Sequence, residues 1–172
     1  MKNKFGTRAL ALLCALFLLL GNSALAVGDE DILYINDALD LRDLAARCAY
    51  DAWSEGKTVR LQRDISLRGV DFAPIPSFGG TFEGNGHKIS GLNIDDSVSP
   101  AGLFGVIAAT GVVNNLTVEG AVAPGGSAKR VGGIAGENRG TIQNCAFTGT
   151  VEGTAKLELL SGKAEEVNGD EE

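Results

Sequence analysis

His87, in the run Gly84-Asn85-Gly86-His87, is the single histidine of a 172-residue chain. One imidazole excludes a histidine-based metal cluster, and general-base chemistry needs a nucleophile within hydrogen-bond reach, which its neighbours in sequence do not supply. Asp95-Asp96 is the best adjacent carboxylate pair. Adjacent residues on a strand point to opposite faces, so the pair alone does not make an acid and a base across one bond. Asp71, Asn93 and Asp95 are the residues that could gather oxygens for Ca²⁺. That ion wants six to eight oxygens and the spacing of a calcium loop is missing, so a solvated acidic stripe is expected. The glycine clusters cradle no phosphate: Gly84-x-Gly86 lacks a third glycine at the dinucleotide spacing, and no Gly-x-x-x-x-Gly-Lys-Ser/Thr occurs. Lys129-Arg130 reads as a solvated corner. No catalytic residue, metal or cofactor is expected.

Charge and the start of the chain set its compartment. Fifteen Lys plus Arg stand against 22 Asp plus Glu, a formal net charge of −7, and such a surface repels phosphate backbones, so a nucleic-acid partner is not expected. Lys2, Lys4 and Arg8 precede an apolar run from Ala9 to Leu20, followed by Gly21-Asn22-Ser23 and then Ala24-Leu25-Ala26, a small-x-small cleavage site. Residues 1–26 therefore read as a secretory signal peptide. The run is shorter than the ~20 residues of a membrane-spanning helix, and no second hydrophobic segment follows, so no transmembrane segment is expected. The expected location is extracellular or at the cell surface.

The elements that must position any site come from an internal repeat. Leu67-Arg68-Gly69-Val70-Asp71-Phe72, Ile89-Ser90-Gly91-Leu92-Asn93-Ile94, Val113-Asn114-Asn115-Leu116-Thr117-Val118 and Ile142-Gln143-Asn144-Cys145-Ala146-Phe147 share one pattern, with first residues 22, 24 and 29 apart. Periods of 20 to 50 residues mean solenoids or propellers, and short runs rich in Val, Ile, Leu and Thr with glycine between them are strands. A coil of this length holds three short strands and three bends, which predicts an all-β parallel β-helix of about four rungs, stacked ~4.8 Å apart. In that register Leu67, Ile89, Val113 and Ile142 form one column, Leu92, Leu116 and Cys145 a second, and Asn115 over Asn144 an amide ladder. Asp71 and Asn93 also coincide, placing both on the outer face near Asp95.

The rungs need closed ends. Leu41, Leu44, Ala45, Cys48 and Ala52 follow helical spacing, opposite Asp40, Arg42, Asp43, Arg47 and Asp51, which predicts an amphipathic capping helix over residues 37–56, after a lead-in at 27–36, with Asn36 or Asp37 as N-cap and Gly56 after its end. The β-helix is expected over 57–160 and an acidic disordered tail over 161–172. At the far end only Lys156 to Leu160 could form a final strand or lid, so the last rung is expected to be lidded by that segment, to pair end to end with another chain, or to belong to a longer design. Cys48 on the cap and Cys145 in the last rung are separated by more than the ~7 Å Cα limit for a disulfide, and Cys145 is expected as a buried thiol.

Gly132-Gly133-Ile134-Ala135-Gly136-Glu137-Asn138-Arg139-Gly140-Thr141-Ile142-Gln143-Asn144, continuing to Val151, resembles the GLUG motif of large bacterial surface and secreted proteins. Phe78 to Leu92 and Ala101 to Gly105 resemble the segments that precede such repeats. The resemblance implies a right-handed β-helix in an extracellular, adhesin-like setting. The expected function is a non-enzymatic binding module for an extracellular protein or glycan. A polysaccharide-cleaving enzyme using Asp95 or Asp96, and a truncated piece that stacks on another chain through its last rung, are the alternatives.

Overall fold

A computed structural model describes residues 32–50, 52–96, 98–125 and 130–153. The segment expected as a signal peptide, Lys156 to Leu160 and the expected acidic tail lie outside the described residues. The described chain opens with β1 (Ile32–Ile35) and α1 (Ala38–Arg47). A first coil follows as β2 (Thr58–Leu61), β3 (Ile65–Ser66) and β4 (Ile75–Phe78), and a second as β5 (Thr81–Glu83), β6 (Lys88–Ile94) and β7 (Phe104–Ile107). The third is β8 (Val112–Asn114), β9 (Thr117–Val122) and β10 (Ala135–Asn138), and β11 (Thr141–Gln143) and β12 (Ala146–Val151) begin a fourth. Every third strand falls in the same sheet: β1-β2-β5-β8-β11, β3-β6-β9-β12 and β4-β7-β10, with all pairs parallel. The chain is a parallel β-helix.

Apolar side chains at registered positions fill its interior. The first sheet stacks Val59, Phe82, Val113 and Ile142. The second stacks Ile65, Ile89, Val118 and Phe147, and the third Ile75, Phe104 and Ala135. Phe78, Phe82 and Phe104 meet at the centre with ring centroids 5.4 to 6.0 Å apart, a spacing that suits edge and tilted aromatic contacts.

This register corrects the columns drawn from the repeat. Val113 does lie beside Ile142, but Ile89 pairs with Ile65 and Val118, and Leu67 belongs to neither stack. Leu116 and Cys145 share a corner, whereas Leu92 stands beside Gly120. The cause is that one sequence pattern serves two conformational purposes. Gly69, Gly91, Asn115 and Asn144 all have positive φ, between 50° and 73°, the left-handed region that Gly and Asn tolerate best. At Asn115 and Asn144 it turns the corner from the first sheet to the second. At Gly91 it lies inside β6, where the register shifts between Ile89 and Leu92, so the apolar residues around it stay in one sheet.

The N-terminal cap also differs from expectation. The lead-in contains a strand, β1, which extends the first sheet beyond β2, and the helix follows it rather than preceding all strands. Asp37 is the N-cap, its carboxylate accepting from the amides of Leu39 at 2.8 Å and Asp40 at 3.0 Å, while Asp40 accepts from the Asn36 amide at 2.8 Å, a reciprocal arrangement that satisfies otherwise orphaned donors. Leu41, Leu44, Ala45 and Cys48 are buried, and α1 packs on β1 and β4. The helix stops at Arg47 instead of running to residue 56. Tight i to i+3 bonds follow, Ala52 takes a positive φ, and the buried Ser54 hydroxyl accepts from the Gly79 amide at 2.9 Å. That bond ties the turn to the coil below and leaves no room for two more helical turns.

Candidate functional site

A concavity lies where the second sheet gives way to its loops. Past β3 the chain runs through Leu67, Gly69 and Pro74, and beyond β6 stand Asp95, Asp96 and Val98; together they wall a cleft of about 700 Å³. Its polar rim is Arg68, Asp71, Asn93, Asp95 and Asp96, and Val70, Phe72, Ile94 and Val98 supply apolar lining. Arg68 crosses directly over Gly91: a Cβ there would stand 2.6 Å from the Arg68 Cγ, so any larger residue displaces the guanidinium stem. Asn93 donates from Nδ2 to Asp95 Oδ2 at 3.0 Å, which fixes the amide with its Oδ1 free to accept.

The three residues singled out for oxygen chemistry, Asp71, Asn93 and Asp95, therefore line one cleft, as neighbours of Arg68 rather than as a bare acidic stripe. Among the described residues no three His, Cys, Asp or Glu side chains gather as a metal site. Asp95 and Asp96 are both exposed. The sequence did not single out Arg68, and its signal, a cation one residue before a positive-φ glycine, is legible only once the next coil's Gly91 is known to lie beneath it.

The other chemistry-bearing residues are structural in their contacts. His87 Nδ1 lies 3.2 Å from Asp64 Oδ1, which also accepts from the Lys88 amide at 3.0 Å. That amide, with the imidazole assisting, holds the Asp64 carboxyl below the usual carboxylate range. No hydrogen bond joins His87 to a hydroxyl or thiol among the described residues. Lys88 reaches across to Glu119 at 3.0 Å. Arg130, expected at a solvated corner, is exposed and pairs with Glu137, which also pairs with Arg139; Lys129 lies outside the described residues. The strand β10 turns Glu137 toward the loop that carries Arg130, which sequence spacing alone does not reveal. Cys48 and Cys145 are free thiols. Burial pushes Cys48 up to about 11 against a hydrogen bond with Ser54, and burial likewise raises Cys145. Asn144 Nδ2 donates to Asn115 Oδ1 at 3.2 Å, and Asn85, missed in the repeat, turns the same corner one coil earlier and donates to the Leu61 carbonyl at 2.8 Å.

The stacked coils and their glycine-dense corners define a parallel β-helix, and comparison with known proteins gives that class a sequence signature. The GLUG motif matches residues 127–152, a span that holds β10, β11 and β12. Halomucin from Haloquadratum walsbyi (strain DSM 16790 / HBSQ001) is 39% identical over 105 residues, which are 56% of this chain and 1% of halomucin. The match therefore touches about one hundredth of that relative's length. No solved structure matches the chain. Among the described residues no helix is long and apolar enough to cross a membrane.

Proposed function

We propose that the chain is an exported, surface-associated binding module that holds an extracellular polymer, protein or glycan, in this cleft, without a catalytic step. The observation that carries this reading is the cleft itself: a volume of about 700 Å³ with apolar lining and a rim of Arg68, Asp71, Asn93, Asp95 and Asp96. Such a mixture, apolar surface with a few oriented polar groups, is the usual make-up of a recognition site. Arg68 offers a planar donor fork and Asn93 a fixed acceptor, a pair that fits the hydroxyls and carboxylates of a glycan as well as a peptide backbone. The GLUG motif and the similarity to halomucin support the surface location.

The test is binding of the purified chain to arrayed glycans and extracellular matrix polymers, repeated with Arg68→Ala and Asn93→Ala. Binding that either substitution weakens tenfold or more, and that Gln143→Ala on the outside of the first sheet leaves intact, supports the reading. No binding across the array sinks it. Release of uronides that disappears in Asp95→Asn or Asp96→Asn would replace it with polysaccharide cleavage.

A further inference from the structure

The corner from the first sheet to the second carries an asparagine of positive φ in three successive coils, Asn85, Asn115 and Asn144, at 50° to 53°. All three are exposed. Asn115 stands between β8 and β9, and Leu116 after it turns inward and is buried. Thr117 opens β9 in register with Lys88 and Ala146. Two residues beyond the three asparagines stand His87, Thr117 and Ala146 respectively. The middle corner alone therefore reads Asn-x-Thr with x other than proline, and no other asparagine of the chain has Ser or Thr two residues on. That triplet is the acceptor pattern of N-linked glycosylation, a modification of exposed turns in exported proteins.

The side chains divide the three corners in the same way. Asn85 commits its Nδ2 to the Leu61 carbonyl at 2.8 Å, and Asn144 commits its own to Asn115 Oδ1 at 3.2 Å. Asn115 takes part through its oxygen. Its Nδ2, on the other arm of the planar amide, makes no hydrogen bond among the described residues. The Thr117 hydroxyl makes none there either. Of the three corner amides, then, Asn115 alone presents its nitrogen outward, and it is also the one whose triplet ends in a hydroxyl. The sequence and the geometry select the same residue independently.

We propose that Asn115 is the acceptor of an N-linked glycan, attached through Nδ2 and carried outward from this corner of the folded β-helix. In the transfer, Nδ2 forms a bond to the anomeric carbon of a sugar activated as a phosphate ester, either lipid-linked or nucleotide-linked. The anomeric C–O bond breaks, the phosphate group leaves with that electron pair, and Nδ2 gives up one proton to the transferase. Nothing is oxidised or reduced. The glycosylated amide keeps its Oδ1, so the hydrogen bond from Asn144 survives and the corner holds its conformation. Leu116, buried between Asn115 and Thr117, anchors the backbone beneath the sugar. None of the corner's residues lines the cleft, so recognition in the cleft and modification at the corner stand or fall separately.

Peptide mass spectrometry on the full chain recovered from the cells that produce it tests the assignment. The expected result is a sugar mass on the peptide that holds Asn115, removed by peptide N-glycosidase with aspartate left in its place. Thr117→Ala, which keeps Asn115 and its hydrogen bond, should lower occupancy at least about tenfold, and Thr117→Ser should retain it. Asn115→Gln should abolish it. The unmodified chain, purified and incubated with a lipid-diphosphate oligosaccharide or with a nucleotide sugar, each with its transferase, distinguishes the two donors, and the product should keep the circular dichroism of the unmodified chain. An unmodified Asn115 in the chain from its producing cells overturns the proposal, as does undiminished occupancy in Thr117→Ala. Transfer from neither donor, or loss of the β-sheet signal once the glycan is attached, overturns it equally.

Discussion

Replacing Asn115 separates the two things that residue does. Its φ of 53° puts it in the left-handed region, and its side-chain oxygen accepts from Asn144 at 3.2 Å. Asn115→Gly removes the hydrogen bond and keeps the conformation within reach. One lost hydrogen bond of this kind is worth about 1 kcal/mol. Asn115→Ala loses the same bond and adds the left-handed penalty of a Cβ residue, roughly 1–2 kcal/mol, for a total of about 2–3 kcal/mol. With a urea slope of about 2 kcal/mol/M for a domain of this size, the midpoint should fall by about 0.5 M for glycine and 1–1.5 M for alanine. Circular dichroism against urea on the purified chain measures both. Equal midpoints for the two variants, or a less stable glycine variant, would refute the idea that the corner is held by backbone conformation as well as by the amide.

Phe82→Ala should cost about 3–5 kcal/mol, because Phe82 is wholly buried between Phe78 and Phe104, whereas Tyr50→Ala, at an exposed position on the cap, should stay within about 0.5 kcal/mol in the same denaturation assay. Cys48, with its thiol near 11, should resist maleimide at pH 8 until the cap opens, and labelling resolved by peptide mass at the pace of free thiol would contradict its burial. Asp64, held low chiefly by the Lys88 amide, adds stability that is present above the ordinary carboxylate pKa and is lost as pH falls through its lower folded value. Asp64→Asn should therefore flatten the acid limb of thermal stability below pH 4 and leave its slope near neutrality unchanged, as calorimetry over pH 2–7 would record.

Much of the architecture was legible because a solenoid repeats its physical demands. Short Val-, Ile- and Leu-rich runs at periods of 22 to 29 residues predict stacked strands, and each of the first three coils does supply three. The register was not legible, because the pattern around Gly69, Gly91, Asn115 and Asn144 reports a positive φ and not a place in the coil. Gly91 marks an irregularity inside a strand and Asn115 a corner, and only pairing distinguishes them. The strand β1 was hidden for a different reason: Ile32-Leu33-Tyr34-Ile35 stands before the repeat and shares none of its glycines. For the cleft, Asp71, Asn93 and Asp95 came from aligning repeats, and the structure brings them together although the alignment was offset by two residues from the true pairing of Ile65 with Ile89. Arg68 was missed because its partner surface, Gly91, is distant in sequence and becomes a neighbour only through coiling.

The register itself is the claim on which the cleft and the corners both rest, and paired cysteines read it directly. Lys88 faces Thr117 and Thr81 faces Val112 across parallel strands, within the Cα range that a disulfide spans. The alignment of the sequence repeats would instead put Ile89 beside Val113, and so Lys88 beside Val112. In a chain with Cys14, Cys48 and Cys145 changed to serine, Lys88→Cys/Thr117→Cys and Thr81→Cys/Val112→Cys should oxidise to intramolecular disulfides seen by peptide mass, while Lys88→Cys/Val112→Cys should remain reduced. A bridge in the third pair, or none in the first two, would contradict the coil described above.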